Sequence, residues 1–152
     1  YRDWRCQQIT RVVKALHDEA KQLSPKLKIS AAVFGSYPSC RESVGQDWPE
    51  WIKAGWLDFV CPMDYTESDE TFCSLVENQM GLVAGRIPVY PGIGATASRS
   101  SLSADRVVGQ IYHARRLDAA GFTIFNFSQD VAEAILPGVG VGAGAQRAQT
   151  AH

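Results

Sequence analysis

The sequence predicts an α/β protein in which four parallel strands alternate with helices. Helical and strand-like segments follow one another along the chain, and the strand-like segments begin about every 30 residues, the length of a βα unit. These segments carry apolar residues on both faces, as expected of parallel strands that are covered by helices. The pattern fits either an open doubly wound sheet or half of a (β/α)8 barrel, whose complete form has eight strands and about 250 residues.

The first predicted elements are a long helix and a strand. The helix, Trp4–Leu23, is amphipathic, and Pro25 ends it. The run Leu27–Phe34, which Gly35 follows, is short and apolar and predicts the first buried strand. The apolar residues of the helix recur at three- and four-residue steps, at Ile9, Val12, Val13, Leu16, Ala20 and Leu23.

The second unit begins with a polar loop, residues 36–46, that leads into a short helix. Asp47 is expected to cap this helix, and Pro49 suits its first turn. Gly55 is expected to stop the helix. The apolar run Leu57–Met63 then predicts the second strand.

A second long helix is expected to open at Ser68 and Asp69 and to end at Gly85. The run Ile87–Tyr90 predicts the third strand, and a glycine-containing loop, residues 91–101, follows it. The inner face of the helix is expected to consist of Phe72, Leu75, Val76, Met80 and Val83.

A third long helix is capped by Ser103 and closed by Gly121 in this prediction. Phe122–Phe127 predicts the fourth strand, and a short helix is expected around Val131–Leu136. The apolar face of the third helix is expected to consist of Val107, Val108, Ile111, Ala114 and Leu117.

The predicted domain organisation is a half-barrel, residues 1–136, followed by a Gly/Ala-rich tail, residues 137–152, that is expected to fray. The net charge of −1 provides no basic field for nucleic acid or an anionic membrane. No apolar run approaches the roughly 20 residues that cross a bilayer. The chain starts at Tyr1 without a signal peptide, so we expect a processed or fragmentary product.

The cysteines and histidines do not predict a metal site or a nucleophile. Because the four cysteines contain no C-x-x-C pair, no zinc site is expected, and burial as small apolar residues is their predicted role. They leave the compartment open. No histidine lies near a serine or cysteine in a loop, which gives no support to a Ser-His or Cys-His pair. We expect no cofactor.

Ligands of parallel α/β folds bind at the carboxyl ends of the strands, which makes Asp64 the predicted catalytic residue. It closes an apolar strand, where a partly apolar mouth would raise its pKa and make its proton usable. The alternative is a turn aspartate before Thr66. Asp64 is in phase with Val60, and Tyr65 is in phase with Met63. The sequence leaves open which set faces the barrel axis.

Seven further side chains near the strand ends are predicted to bind substrate. The aromatic rings among them suit stacking on sugar rings, although Trp48 fits the helix–sheet core equally well. Arg41 is suited to hold a substrate hydroxyl or carboxylate, or to pair with a neighbouring acid. The seven are Tyr37, Arg41, Gln46, Asp47, Trp48, Tyr65 and Asn126.

The glycine-containing loop, residues 91–101, leaves a third interpretation open. An unrelated open-sheet protein would bind a phosphorylated ligand there. The loop has neither G-x-G-x-x-G nor G-K-[ST], and the following helix starts some residues later. It is therefore a weak nucleotide signal.

The stretch SYPSCRESVGQDWPEWIKAGWLDFVCPMDYT, residues 36–66, resembles the bacterial glycosyl-hydrolase-like family that is described as family 10 glycosylhydrolase-like or as a domain of unknown function. In that family a Q-D-W helix precedes a strand that ends in a Pro-x-x-Tyr turn. The stretches VYPGIGA and GFTIFNFS…ILPGVGVGA resemble its last two βα units. The matching residues are Gln46, Asp47, Trp48, Trp51, Gly55, Asp58, Pro62 and Tyr65.

The resemblance covers nearly the whole chain and implies the C-terminal half of a (β/α)8 barrel, with these strands as the fifth to eighth. Glycoside hydrolysis usually needs two carboxyl groups. The resemblance places an acidic fourth-strand end before Tyr1, in an N-terminal half. Many relatives have Gln followed by an aliphatic residue before the turn tyrosine, and Met63 and Asp64 depart from that pattern.

The resemblance therefore implies a glycoside hydrolase that acts on a bacterial or environmental glycan, with acid/base chemistry completed by the N-terminal half. The alternative is a carbohydrate-binding or inactive barrel. We expect this chain alone to bind weakly and catalyse nothing. Its exposed half-barrel edges are expected to pair with another copy, as a homodimer, or to rearrange. For the parent protein, a secreted or periplasmic location is one option.

Overall fold

A computed structural model of the protein describes residues 1–145 and contains a four-stranded parallel sheet that alternates with helices, as predicted. Its strands lie side by side in chain order, so the sheet lacks the reversal of strand order that a doubly wound sheet requires. The strands are β1 (Ser30–Phe34), β2 (Phe59–Met63), β3 (Gly92–Gly94) and β6 (Thr123–Phe125), and an antiparallel hairpin, β4 (Thr96–Ala97) and β5 (Ser100–Ser101), follows β3.

Long helices connect the sheet strands, and shorter helices lie in the loops. The helix before β3 starts where the sequence predicts, because the Ser68 hydroxyl accepts a hydrogen bond from the Thr71 amide at 3.1 Å. Among residues 1–145, every helix is too short or too polar to span a bilayer. The helices are α1 (Arg2–Leu23), α2 (Ser39–Val44), α3 (Trp48–Lys53), α4 (Asp69–Val83), α5 (Ala104–Arg116), α6 (Gln129–Ala134) and α7 (Leu136–Val141).

The helices cover one face of the sheet, and the opposite face, here called the open face, remains accessible. Burial alternates along β1, where Val33 is buried while Ala32 and Phe34 are exposed, and the same alternation continues in β2 and β6. Under the helices, one core cluster surrounds Trp48 and Val60. A second cluster is formed mainly by side chains of α4, α5 and β3.

Helix α1 forms as predicted, but its predicted inner face is largely exposed. Leu16 and Leu23 are 60% and 89% exposed, whereas Cys6 is buried. Thr10 accepts a hydrogen bond from the Trp51 indole at 2.9 Å, so the face that contains Cys6 and Thr10 contacts the rest of the chain. Because a helix turns about 100° per residue, the apolar stripe lies beside this face and meets solvent.

The third strand lies further along the chain than predicted. Val89 makes an isolated bridge to Val60, and regular pairing begins only at Gly92. Pro88 and Pro91 have no amide proton and therefore interrupt the ladder between these points. The predicted loop, residues 91–101, consequently contains β3 and the β4–β5 hairpin.

The chain beyond Pro137 is more ordered than the predicted frayed tail. Helix α7 spans Leu136–Val141, and Val139 and Ala143 belong to the core. Arg115 donates a hydrogen bond to the Ala143 carbonyl at 2.8 Å, which fixes this end against α5. The rest of the predicted tail, residues 146–152, lies outside the described residues.

Candidate functional site

Two aromatic rings form a platform on the open face, close to the carboxyl ends of the strands. Tyr65 follows β2, and its ring stacks on Phe125 of β6 with centroids 5.1 Å apart and planes inclined by 23°. A Cβ atom at Gly92 would lie 3.2 Å from the Tyr65 ring, and one at Gly94 would lie 2.9 Å from the Tyr65 Cβ. Glycine in β3 therefore allows the Tyr65 ring to lie across the strand.

Polar groups border the aromatic platform. Asn126 follows Phe125 directly, and its side-chain oxygen accepts a hydrogen bond from the Thr96 hydroxyl of β4 at 3.1 Å. Phe125 is 45% exposed and Phe127 is 84% exposed, whereas Tyr65 is half-buried. The structure thus brings Tyr65 and Asn126, both predicted to bind substrate, to one accessible region.

Asp64 lies on the other side of the sheet, under the helices. The alternation that leaves Tyr65 on the open face places Asp64 with Val60 on the buried face, and Asp64 is 0% exposed. Its Oδ1 accepts a hydrogen bond from Gln79 Nε2 at 2.6 Å. Burial raises the pKa of Asp64 to about 7, although the Gln79 hydrogen bond acts in the opposite direction. An enclosed carboxyl group cannot touch a substrate, so this placement does not favour the predicted catalytic role.

Gln79 and Gly35 enclose Asp64, and neither is among the site residues predicted from the sequence. Gln79 donates a second hydrogen bond to the Gly35 carbonyl at 3.1 Å, and Gln79 is itself fully buried. A signal for Gln79 is present in the sequence, because it continues the buried face of α4 with Phe72 and Val76. A polar residue in such a face needs a buried partner.

Three residues that are predicted to bind substrate bind each other instead, and we call them the Arg41 cluster. The Tyr37 hydroxyl donates to Asp47 Oδ1 at 3.0 Å, and Arg41 Nε donates to Asp47 Oδ2 at 2.8 Å. Arg41 also pairs with Asp3 of α1 at 2.9 Å. Burial, followed by the Asp47 hydrogen bond, raises the pKa of Tyr37 to about 12. The ion-pairing alternative for Arg41 is therefore the one that the structure shows.

Arg41 and Asp47 line a cleft of about 350 Å³ between α1 and α3, and neither Tyr65 nor Phe125 contributes to its lining. Asp47 occupies the N-cap position of α3, but its side chain makes no capping hydrogen bond. The predicted cap is wrong in this respect, because both carboxylate oxygens of Asp47 are used by Tyr37 and Arg41.

Trp48 and Gln46 have structural contacts. Trp48 is 0% exposed and packs edge-to-face on Tyr37, with ring centroids 5.7 Å apart. This placement corresponds to the core alternative for Trp48 and does not favour the predicted sugar stacking, because no part of the ring is accessible. The Gln46 side-chain oxygen accepts a hydrogen bond from the Phe34 amide at 2.8 Å, which gives the last amide of β1 a partner.

Glu67 is an exposed carboxylate near the strand ends and is not among the site residues predicted from the sequence. Its Oε1 accepts a hydrogen bond from the Ser101 amide of β5 at 3.0 Å, and Arg106 donates to its backbone carbonyl. Its position two residues after Tyr65 is the available sequence signal. Within residues 1–145, no group of three or more His, Cys, Asp or Glu residues is placed to hold a metal ion.

The N-terminal part of the chain matches a known protein family. A family model described as glycosyl hydrolase-like 10 matches residues 1–86, more than half of the chain. The match includes the Arg41 cluster, Asp64 and Tyr65, and it ends before β3. No curated protein matches the chain.

Proposed function

The chain belongs to the glycosyl hydrolase-like 10 family, and on this basis we propose that it is the C-terminal half of a (β/α)8 barrel that binds a glycan at the carboxyl ends of its strands. The chain-order arrangement of the four parallel strands supports the barrel. The observation that carries the proposed function is the aromatic platform, which is accessible at the end of the sheet where parallel α/β folds bind ligands.

The platform has the chemistry that a sugar ring needs. The apolar C–H face of a sugar packs on the accessible surface of the stacked pair of Tyr65 and Phe125, and Asn126 and Thr96 provide hydrogen-bonding groups beside it. The glycan is bacterial or environmental in this proposal, as the resemblance implies.

Hydrolysis by this barrel would need a pair of carboxyl groups, which residues 1–145 do not place beside the aromatic platform. Asp64 is enclosed, and Asp47 is bound by Arg41 and Tyr37. Acid/base glycoside hydrolysis usually uses two carboxyl groups on either side of the scissile bond. We therefore propose that the N-terminal half of the barrel supplies acid/base chemistry and that this half supplies sugar binding.

Changing Tyr65 to Ala is expected to weaken glycan binding by the intact protein about tenfold, because an aromatic contact contributes about 0.5–1.5 kcal/mol beyond its buried area. Isothermal calorimetry with hexasaccharides of chitin, cellulose and amylose, and with bacterial glycan strands, measures the change. Tyr112→Ala is the control, since Tyr112 is exposed on α5 and stands apart from the platform. Equal losses in both variants would contradict the assignment of the platform.

A second candidate function is glycan binding without hydrolysis. The engagement of Asp64 and Asp47 in internal contacts favours it. The distinguishing measurement is release of shorter products from the oligosaccharides that bind. Binding without cleavage by the intact protein supports the non-catalytic barrel, whereas cleavage supports the hydrolase.

We also propose that the isolated chain pairs with another copy, because the outer edge of β1 and the apolar stripe of α1 are exposed. Sedimentation of the wild type is expected to show a dimer, and Leu16→Lys is expected to weaken it. Gln22→Lys adds the same charge on another exposed side of α1 and is expected to leave the dimer intact. A stable wild-type monomer would contradict this proposal.

A further inference from the structure

The side chains of Asp64 and Gln79 each have one buried oxygen atom without a hydrogen-bond partner. The two atoms are Asp64 Oδ2 and Gln79 Oε1. Both belong to one contacting pair, because Gln79 Nε2 lies 2.6 Å from Asp64 Oδ1. Both residues are 0% exposed. Buried polar atoms are nearly always hydrogen-bonded, so two unpartnered acceptors in one pair need an explanation.

A single proton on Asp64 accounts for both atoms. A protonated carboxyl group has one O–H donor, and a glutamine amide has one acceptor oxygen and two N–H donors. We propose that Asp64 is a neutral carboxylic acid that forms a cyclic double hydrogen bond with Gln79, as a positioning pair for Tyr65. In this pair Gln79 donates to Asp64 Oδ1, and the Oδ2 hydroxyl donates to Gln79 Oε1.

The second N–H of Gln79 completes the pair, because it donates to the Gly35 carbonyl at 3.1 Å. Every polar atom of both side chains then has a partner. The fit around Gly35 is close, since a Cβ atom there would lie 2.0 Å from Asp64 Oδ1. An ionised Asp64 would instead leave Asp64 Oδ2 and Gln79 Oε1 buried without a hydrogen-bond donor.

The surroundings of Asp64 favour the neutral form. Burial is the largest influence on its pKa, and no charged side chain of the described residues contributes to the shift. Gly35 at the end of β1 is not titratable, and α4 presents the neutral Gln79. The adjacent titratable group is Tyr65, whose pKa is raised first by burial and then by Asp64.

The pair joins three elements at the point where Tyr65 begins. Gly35 follows β1, Asp64 follows β2, and Gln79 lies on α4. Because Tyr65 is the next residue after Asp64, the pair fixes the backbone from which the Tyr65 ring crosses β3. The importance of the Asp64–Gln79 pair for sugar binding rests on the proposed function, but the existence of the pair does not.

The protonation of Asp64 makes folding depend on pH in a defined direction. Its pKa is about 7 in the folded state and 3.8 in the reference state, so the folded protein binds more protons between these values. Stability therefore falls as pH rises through this window, and the unfolding equilibrium constant increases by up to about tenfold per pH unit from this group. Above the folded-state pKa the effect is constant.

The test compares urea unfolding of the wild type and Asp64→Asn between pH 5 and pH 8. Asparagine supplies an acceptor and an N–H donor, so it reproduces the neutral pair without titrating. We expect the free energy of unfolding of the wild type, relative to that of Asp64→Asn, to fall as pH rises. We also expect Asp64→Leu to be less stable than Asp64→Asn at every pH. A pH-independent difference between the wild type and Asp64→Asn, or no advantage of asparagine over leucine, would overturn the pair.

A second measurement remains decisive even if a variant does not fold. The ¹³C resonance of the Asp64 carboxyl group in the wild type is expected to titrate near neutrality, and the Tyr65 ring resonances are expected to shift with the same midpoint. A carboxyl group already ionised at pH 5 would overturn the neutral pair. Tyr65 resonances that do not follow Asp64 would overturn its positioning role. Because no glycan is present, neither outcome depends on the proposed function.

Discussion

Replacing Trp48 with alanine is expected to lower the free energy of unfolding by about 3–5 kcal/mol, because truncating a fully buried aromatic residue loses its contacts and leaves a cavity. The ring packs on Tyr37 and lies in the cluster that contains Val33 and Val60. Urea unfolding at a fixed pH measures the loss.

The matched control is Trp4→Ala on α1, where the ring is 58% exposed. That variant is expected to change stability by no more than about 0.5 kcal/mol, as for most surface substitutions. If Trp48→Ala kept wild-type stability but bound glycan poorly, Trp48 would belong to the sugar site after all.

Gly35→Ala is expected to be similarly damaging, with a loss of about 2–5 kcal/mol. The new Cβ atom would lie 2.0 Å from Asp64 Oδ1 and 3.0 Å from Gln79 Nε2, so the buried pair would have to separate. The cost combines overpacking with the loss of buried hydrogen bonds. Calorimetric or urea unfolding gives its size.

Gly81→Ala is the control for the glycine change. Gly81 lies in α4, and a Cβ atom there would meet nothing within 4 Å. Alanine in a helix is favoured over glycine by about 1 kcal/mol, so this variant is expected to be more stable than the wild type. A harmless Gly35→Ala would show that Asp64 and Gln79 are not held as tightly as their geometry indicates.

The sequence predicts the succession of helices and strands because the spacing of apolar residues agrees with the positions of the residues that cap or end the helices. Ser68 caps α4 as expected, and Gly55 adopts a left-handed φ of 75° after α3. The third strand is misplaced because a short run that contains Pro88 is apolar enough to read as a strand but lacks an amide proton. The pattern of apolar residues in a segment does not show where hydrogen bonds to a neighbouring strand can form.

Which side of an element is covered depends on neighbours that are distant in sequence. Strands of parallel sheets are apolar on both faces, so alternation alone does not say whether Asp64 or Tyr65 faces the helices. Helix α1 shows the same problem, since its apolar stripe is real but Leu16 is exposed. The partners of Arg41 are likewise set by the fold, which brings Asp47 and Asp3 of α1 to its guanidinium group.

Tyr65 remains a predicted substrate-binding residue whose placement suits that role, and it owes its orientation to Gly92 and Gly94 on another strand. Asp64 has a different placement from the one that its predicted role needs. A carboxylate at a strand end has two interpretations, and the buried Gln79 favours an internal contact here. A polar residue in the buried face of α4 is the sequence feature that separates these interpretations.

The measurement that tests the account most directly is the location of a bound oligosaccharide, mapped by NMR on the aromatic and backbone resonances of the intact protein. Titration with the tightest-binding hexasaccharide is expected to shift Tyr65, Phe125 and Asn126. Shifts confined to Arg41 and its neighbours at the cleft beside α1, with Tyr65 and Phe125 unchanged, would contradict a glycan site at the aromatic platform.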